Sequence, residues 1–153
     1  MALLSPADQQ RLRESFDEMK APVRLLFFTQ AFGCETCFHA RQILDELPPL
    51  SDKITIEEVN FVLEKEKAAQ YGIDRVPAIA LVYTEADRGA GPPGVEKDSR
   101  IRFLGAPSGY EFVSLVQAVL LVGGHVSSLT VENRRRLAAV DSPMVMQVFA
   151  TPT

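Results

Sequence analysis

The fold is decided by the stretch VRLLFFTQAFGCETC, which occupies residues 23–37. Its first half, Val23–Thr29, is rich in β-branched and aromatic residues and predicts a buried strand. Cys34 and Cys37 stand where this strand has ended and a helical pattern of apolar residues starts. That pattern comprises Ala40, Ile43, Leu44 and Leu47, and Pro48-Pro49 stops it. The sequence therefore predicts a strand, a turn that holds two cysteines, and a helix to about Glu46.

The segments on either side alternate between helical and strand patterns. Ser5 has the features of a helix N-cap, with Pro6 at the first helical position and Asp8 three residues after the cap. A helix is expected from there to about Met19. Further along the chain we predict a strand at 53–61, a short helix at 63–71, a strand at 78–83, a loop at 85–98, a strand at 100–104 and a helix at 110–122.

The order of these elements specifies an α/β fold. From residue 23 to residue 122 the order is β-α-β-α-β-β-α. The βαβ half places two strands parallel with a helical crossover, and the ββα half adds an antiparallel pair. We therefore expect a mixed central sheet with helices on both faces, and an extra N-terminal helix within residues 1–20.

Length, charge and cysteine count exclude several classes of protein. With 153 residues, of which 46% are hydrophobic, the chain is long enough for one packed domain, or one and a fraction. Its net charge of −4 is the wrong sign for a nucleic-acid binder, and no apolar run approaches the ~18 residues of a membrane span. The N-terminus lacks the basic and apolar regions of a signal peptide, and two cysteines do not make a disulfide scaffold. We expect a cytoplasmic protein that binds neither nucleic acid nor membranes.

The spacing Cys34-Glu35-Thr36-Cys37 has a specific chemistry at a helix N-terminus. Backbone N–H groups of the first turn and the positive end of the helix dipole stabilise a thiolate. Cys34 can then attack a substrate disulfide to form a mixed disulfide, which Cys37 resolves by a second exchange. We expect Cys37 to be the more buried of the two cysteines.

A zinc site is the alternative interpretation of the same pair. Structural zinc takes four ligands, and the remaining candidates are His39 and His125. His39 would point to the opposite side of the helix and His125 lies in a distant segment, so zinc would require Cys34 and Cys37 from two chains. The strand before the pair and the helix after it favour redox chemistry, so no metal site is predicted.

Three segments together resemble a known family. Gly33-Cys34-Glu35-Thr36-Cys37 follows a buried strand, Arg75-Val76-Pro77-Ala78 comes later in the chain, and Gly105 precedes the last helix of the unit. This combination resembles the thioredoxin and glutaredoxin superfamily. Residues 71–78 and 103–112 are most similar to the N-terminal unit of the protein disulfide oxidoreductases, which carry two tandem thioredoxin folds. The resemblance implies a thioredoxin-like fold and a thiol–disulfide oxidoreductase that acts on protein disulfides in cell redox homeostasis.

The resemblance also implies roles for residues outside the cysteine pair. In the superfamily the proline that corresponds to Pro77 is cis and lies against the cysteines, and the backbone before it, here Val76, is free to pair with a substrate strand. Arg75 and the turn from Gly105 are the positions at which a glutaredoxin would hold glutathione, although the Asp of that turn is missing here. Glutathione-dependent glutaredoxin activity is therefore one alternative, and a solvated loop residue is the other interpretation of Arg75.

Two departures from the family pattern affect the chemistry. Phe28 stands where thioredoxins carry a buried Asp, so the proton of Cys37 must pass to water or another group. Glu35-Thr36 replaces the pairs typical of the family, and the carboxylate of Glu35 opposes thiolate formation. We expect this charge to make the dithiol the better reductant, with His39 able to pair with Glu35 and reduce the effect. The alternative is that both residues simply belong to a solvated helix face.

The sequence thus leads to one predicted function and one rival from a different class. The prediction is a dithiol–disulfide enzyme that needs no metal, nucleotide, flavin or other cofactor and is recycled by a thiol or a disulfide reductase. The rival is a redox-inert module that keeps the fold for docking to partner proteins.

The C-terminal residues resemble the beginning of a second unit. A helical pattern at 132–140 is followed by SPMVMQVF at 142–149, which parallels APVRLLFF at 21–28. We expect residues 21–124 to form one thioredoxin-like unit and residues 125–153 to be the helix and first strand of a truncated second one. A strand cut off from its sheet would either add to an edge of this sheet or swap into a second molecule, and the swap would make a dimer through this strand. The alternative is an ordinary C-terminal strand.

Overall fold

The computed structural model describes residues 3–84 and 94–151. Within them the chain forms five α-helices and a four-stranded sheet, in the order that the sequence predicts. The helices are α1 (Pro6–Asp17), α2 (Cys37–Leu44), α3 (Lys65–Gln70), α4 (Tyr110–Val122) and α5 (Val131–Ala138). The strands are β1 (Val23–Thr29), β2 (Ile54–Asn60), β3 (Ala78–Thr84) and β4 (Glu96–Leu104). The predicted α/β class is confirmed.

The sheet is mixed and has the strand order β2-β1-β3-β4. β1 runs parallel to β2 and antiparallel to β3, and β3 runs antiparallel to β4. Thr29 at the end of β1 is therefore level with Asn60 at the end of β2, and Ala78 at the start of β3 lies between Phe28 and Leu104. We call this edge, where β1, β2 and β4 end and β3 begins, the cysteine end of the sheet.

Apolar side chains cover both faces of the sheet, as predicted. One face carries Leu25, Phe27, Ile79 and Leu81 against Phe16 of α1, Leu44 of α2 and Leu115 of α4. The other face carries Leu26, Phe28, Val59 and Ala80 against Ala68 of α3. Because alternate residues of a strand point to opposite faces, β1 must be apolar at successive positions, which explains its nearly unbroken hydrophobic run.

The N-terminal helix begins as predicted and ends slightly earlier. Ser5 Oγ accepts a hydrogen bond from the Asp8 N–H at 3.2 Å, so Ser5 is the N-cap. The helix stops at Asp17, before the predicted Met19. The reason lies in the next residues, because the Lys20 N–H donates to the Gly123 carbonyl at 2.8 Å instead of continuing the helix. This bond joins the end of α1 to the end of α4.

The loop predicted for residues 85–98 is wrong in its last part. Residues 85–93 lie outside the described residues, but Glu96, Lys97 and Asp98 belong to β4 and pair with β3. The sequence pattern does not reveal this part of β4 because it is polar and irregular. Arg100 has a φ of 64°, and its N–H donates to Asp98 Oδ1 at 2.8 Å. The pairing register shifts at this point, so the strand does not show a continuous alternation.

The C-terminal residues of the described chain do not extend the sheet. Residues 139–151 form neither helix nor strand and are exposed. The predicted strand at 142–149 is therefore absent, and the prediction that it adds to an edge of this sheet is wrong. Its apolar side chains stay in solvent, with Phe149 90% exposed. The assignment of residues 125–153 to a second unit stays a prediction.

Ion pairs of Glu57 on β2 should make the stability of the fold depend on pH. Hydrogen bonds from Lys67, and to a lesser extent from Arg24, hold the pKa of Glu57 below its usual value, against the opposing effect of burial. A carboxyl whose pKa is lower in the folded state stabilises the protein above its unfolded pKa, and this contribution is lost as the pH falls through the folded pKa. We expect Glu57→Gln to lower the free energy of unfolding by about 0.5–1 kcal/mol at pH 7.

The difference in the free energy of unfolding between wild type and Glu57→Gln should then shrink as the pH is lowered from about 5 to about 3. Urea unfolding at a series of pH values measures it. A difference that stays constant over this range would show that the Glu57 ion pairs contribute nothing to stability.

Candidate active site

A disulfide between Cys34 and Cys37 lies at the cysteine end of the sheet. Their Cα atoms are 5.5 Å apart. β1 ends at Thr29, shortly before Cys34. Gly33, between them, has a φ of 70°, a left-handed conformation that a residue with a side chain rarely adopts. α2 then carries Cys37 into the protein. The strand–turn–helix unit predicted from the sequence is confirmed.

The two cysteines differ in exposure. Cys37 is 5% exposed and belongs to α2, whereas Cys34 is half-buried and precedes the helix. The prediction that Cys37 is the more buried of the two is confirmed. An incoming reactant can therefore approach Cys34 more readily than Cys37.

The helix begins at Cys37, at the end of the turn that holds both cysteines, as the sequence predicts, and it ends at Leu44, before the predicted Glu46. Thr36 is its N-cap, and the first helical hydrogen bond runs from the Ala40 N–H to the Thr36 carbonyl at 2.9 Å. Glu35 therefore precedes the helix, and the spacing that would bring it to His39 does not apply. Both side chains are exposed, and the described residues include no ion pair between them. The sequence leaves two alternatives for these residues, and the structure agrees with the solvated one: both side chains are exposed and the pairing of His39 with Glu35 is not formed.

The segment around Pro77 precedes β3 and lies at the cysteine end of the sheet. The Val76–Pro77 peptide bond is cis, as the family resemblance implies. Pro77 is buried and Val76 is half-buried. The Gly105 N–H donates to the Pro77 carbonyl at 2.8 Å, so the turn after β4 is held against the start of β3. The fold thus brings Val76, Pro77 and Gly105 to the end of the sheet that holds the disulfide.

Arg75 forms an ion pair with its neighbour. Its Nε lies 2.8 Å from Asp74 Oδ1, and its second nitrogen lies 3.0 Å from Asp74 Oδ2. The hydrogen bonds from Arg75 lower the pKa of Asp74, and the same bonds raise the pKa of Arg75. Both side chains are about two-thirds exposed, at 66% and 69%. The positive charge of Arg75 is thus balanced by the carboxylate of Asp74.

Phe28 makes the interior on the α3 face of the sheet apolar. It is fully buried, and its ring lies 6.1 Å from the ring of Tyr71. Among the described residues, none that is buried is polar or charged. Within this part of the chain, no buried carboxylate can therefore accept a proton from Cys37.

The histidines do not complete a metal site with the cysteines. His125 hydrogen bonds to the carboxylate of Glu18 at 3.0 Å, and His39 lines a cavity beside α2. Over residues 3–84 and 94–151 there is no cluster of three or more His, Cys, Asp or Glu residues that could hold a metal ion. Over the same residues, no helix is long and apolar enough to span a bilayer.

Among the residues that the structure describes, two cavities lie beside the sheet away from the disulfide. The smaller one, of about 250 Å³, lies between α2 and the start of α4, with His39, Glu46 and Phe112 among its lining residues. The larger one, of about 400 Å³, lies around Arg24 and Thr84, at the end of the sheet away from the cysteines. The larger cavity contains no residue that the sequence predicts for the site.

Two exposed aromatic residues flank the cysteines in the chain and a third begins α4, and the sequence analysis assigns them no role. Phe32 is 89% exposed, Phe38 is 73% exposed, and Tyr110 at the start of α4 is 84% exposed. Phe32 and Phe38 each lie within two residues of a cysteine. The sequence does contain a signal for them, because these aromatic residues directly flank the reactive cysteine pair. Their exposure itself depends on the placement of the turn and could not be predicted.

The sequence and the fold are similar to those of known redox proteins. A probable thioredoxin from Methanothermobacter thermautotrophicus is 31% identical over 84 residues, which cover 54% of this chain and 80% of that protein. The NTD_N/C domain of alkylhydroperoxide reductase AhpF from Enterococcus faecalis has a TM-score of 0.75 and 29% identity. The match covers 90% of this chain and 61% of that one.

A third match concerns the fold alone. A protein disulfide oxidoreductase from Aeropyrum pernix has a TM-score of 0.67 at 21% identity, covering 88% of this chain and 54% of that one. The chain thus spans about three-fifths or less of these two solved structures. No protein-family model matches the sequence.

Proposed function

The chain belongs to the thioredoxin family, and we propose that it exchanges electrons with the disulfides of other proteins through Cys34 and Cys37. It is a thiol–disulfide oxidoreductase, as its relatives and the cysteine pair at disulfide distance indicate. The observation that supports the protein substrate is the half-buried Cys34 at a rim of exposed aromatic side chains. Such a rim offers contacts to a macromolecule that a small disulfide would not use.

In the proposed reaction Cys34 is the nucleophile and Cys37 the resolving residue. The Cys34 thiolate attacks one sulfur of the substrate disulfide, which forms a mixed disulfide and releases the other substrate sulfur as a thiolate. The Cys37 thiolate then attacks the Cys34 sulfur and releases the second substrate thiolate. Two electrons pass from the dithiol to the substrate, and the enzyme is left as the Cys34–Cys37 disulfide. The proton of Cys37 passes to water, since no described carboxylate is buried near it.

Val76, Pro77 and Gly105 form the proposed substrate groove. Val76 lies outside the strands, and its backbone N–H and carbonyl make no hydrogen bond to any described residue. A free pair of backbone groups beside a reactive disulfide can pair with an extended substrate segment. The bond from the Gly105 N–H to the Pro77 carbonyl fixes the other wall of this groove.

A thiol or a disulfide reductase must return the enzyme to its dithiol form. Because the reaction uses only the two cysteines, this recycling can occur by a further thiol exchange and needs no cofactor bound to this chain. A cytoplasmic location would supply the reducing conditions. Fractionation of the source cells would test that location.

The test of the proposed function is the reduction of insulin disulfides with dithiothreitol as the electron donor. The reduced insulin chains precipitate, and the turbidity that measures this precipitation should rise faster with the protein than with dithiothreitol alone. Equal rates would favour the rival interpretation of a redox-inert docking module.

Glutathione is the alternative substrate, and the Asp74–Arg75 pair argues against it. A glutathione carboxylate would compete with the bidentate carboxylate of Asp74 for the guanidinium of Arg75. We therefore expect slow exchange with a glutathione mixed disulfide. A rate with that substrate as high as the rate with insulin would assign the chain to the glutaredoxin type.

Glu35 should tune the reduction potential of the cysteine pair. Its exposed carboxylate lies beside Cys34 and opposes the thiolate of the reduced form, without an ion pair to His39 to reduce its effect. Glu35→Gln should therefore raise the potential by about 10–30 mV. Equilibration with a glutathione series measures the potential, and Glu14→Gln on α1 is the matched control. An unchanged or lower potential would show that solvent already screens the charge.

We also propose that residues 125–153 begin a second thioredoxin-like unit. The AhpF match covers 90% of the 153 residues, which is more than residues 1–124 alone can supply. α5 has no buried residue, so its apolar side chains are available to a further unit or to a second molecule. A stop codon directly after Thr153 in the source gene would contradict the second unit. Light scattering with and without residues 143–153 tests a dimer, and a monomer in both cases would exclude it.

A further inference from the structure

Glu35 carries an unbalanced negative charge next to the more accessible cysteine. It follows Cys34 directly in the chain, and the Cα atoms of successive residues are about 3.8 Å apart. Its side chain is exposed, and its carboxylate forms no hydrogen bond or ion pair with any residue that the structure describes. A disulfide that approaches Cys34 therefore meets a free carboxylate one residue away.

The arginines of the adjoining elements do not neutralise this charge. Before the cis peptide bond, Arg75 is bound to both carboxylate oxygens of Asp74. On α2, Arg41 pairs with Asp45 at 2.8 Å and also with Glu58. Each guanidinium is thus matched by a carboxylate of its own, and neither supplies an excess positive charge to the site.

The remaining charges at the cysteine end of the sheet have the same sign as Glu35. At the start of α3, Glu64 and Glu66 flank Lys65 in the chain. Glu111 lies in the first turn of α4. Within the described part of the chain, carboxylates therefore outnumber cations around the cysteines, in keeping with the net charge of −4. The electrostatic field that a substrate meets at Cys34 is negative.

We propose that Glu35 is a specificity-determining residue that favours protein disulfides flanked by lysine or arginine over those flanked by carboxylates. The inference rests on the proposed function. Attack by Cys34 requires its sulfur and the substrate sulfur to come within bonding distance, which brings the groups beside the substrate disulfide close to Glu35. Opposite charges a few Å apart attract each other even in water, and like charges repel by the same amount. Glu35 thus acts on the substrate through its charge and takes no part in bond formation.

The test uses three small disulfides that differ in charge: cystamine with two ammonium groups, uncharged hydroxyethyl disulfide, and dithiodiglycolate with two carboxylates. In each reaction the Cys34–Cys37 dithiol is oxidised to the disulfide, and the reagent is reduced to two thiols by the two electrons transferred. Acid quenching and mass spectrometry follow the oxidation of the reduced protein. Each rate is divided by the rate of dithiothreitol with the same reagent, which removes the intrinsic reactivity of the reagent.

The normalised rates should show a preference for the cation. In wild type, cystamine should exceed dithiodiglycolate by about tenfold at an ionic strength of about 20 mM, with hydroxyethyl disulfide between them. At about 1 M salt the preference should fall below about twofold, because the Debye length is then only about 3 Å.

Variants at position 35 assign the preference to this residue. Glu35→Gln should reduce it to about threefold or less, Glu35→Lys should reduce it further, and Glu35→Asp should keep it. A change in the reduction potential affects both reagents alike, so it cancels in the ratio of their rates. Glu14→Gln, on α1, removes an exposed carboxylate elsewhere and should leave the wild-type ratio unchanged.

Three results would overturn the assignment of specificity to Glu35. They are equal normalised rates for the three reagents in wild type, a wild-type ratio that persists in both Glu35→Gln and Glu35→Lys, and an equal loss of the ratio in Glu14→Gln. The proposed function fails in a different way. A reduced wild-type protein that reacts with none of the three reagents would overturn that function, whatever the charge of the reagent.

Discussion

Cys34→Ser is expected to abolish the reduction of protein disulfides. A serine hydroxyl does not attack a disulfide at neutral pH, and Cys37, at 5% exposure, is too enclosed to replace the missing thiol. The catalysed rate should fall by a factor on the order of 10³ or more, to the rate of dithiothreitol alone. Turbidity of insulin in the presence of dithiothreitol measures this loss.

The matched control for Cys34→Ser is Thr36→Ser in the same turn. Thr36 is exposed, and its side chain makes no capping hydrogen bond to α2, so the variant should keep most of its activity. If Cys34→Ser retained more than about a tenth of the wild-type rate, another group would be the nucleophile and the assigned roles would be wrong.

Phe28→Ala is expected to cause the largest loss of stability among single changes in the site. Phe28 is fully buried and packs against Leu26, Val59 and Tyr71 on the α3 face of the sheet. Removal of a buried phenylalanine ring costs the transfer free energy of its atoms and leaves a cavity, about 3–5 kcal/mol in total. This is a large part of the roughly 5–15 kcal/mol that stabilises a typical domain. Urea unfolding followed by circular dichroism measures it.

Phe38→Ala is the matched control for Phe28→Ala. Phe38 carries the same side chain on α2, but it is 73% exposed, so its truncation should change the free energy of unfolding by about 0.5 kcal/mol or less. A loss below about 1 kcal/mol for Phe28→Ala would contradict the apolar packing described on the α3 face of the sheet.

The sequence predicts the parts of the fold in which local pattern and tertiary burial agree. β1 and β3 are apolar at successive positions because both faces of the sheet are covered, and α4 has buried residues at helical spacing. β4 is an edge strand whose polar residues and irregularity at Arg100 conceal its start at Glu96. Its extent depends on pairing with β3, which lies outside any local pattern.

The site likewise has parts that follow from local sequence pattern and parts that depend on tertiary structure. The positions of Cys34, Cys37 and Pro77 follow from the motif and the order of the strands. Pairing of His39 with Glu35 is one of two alternatives that the sequence leaves open, and it does not form because Glu35 precedes the helix, which begins at Cys37. The exposure of Val62 and Leu63 does not follow from the sequence, because an apolar pair in a turn can equally be buried, and the placement of the turn decides which occurs.

The most direct test of the central claim is to trap the mixed disulfide. In Cys37→Ser, the Cys34 thiolate can still attack a protein disulfide, but no second thiol releases the product. Reduced Cys37→Ser incubated with insulin should therefore give a covalent adduct that disappears on addition of dithiothreitol. Mass spectrometry of the unreduced peptides should locate the bond at Cys34. The absence of an adduct, or an adduct formed by Cys37 in Cys34→Ser at a comparable rate, would contradict the account.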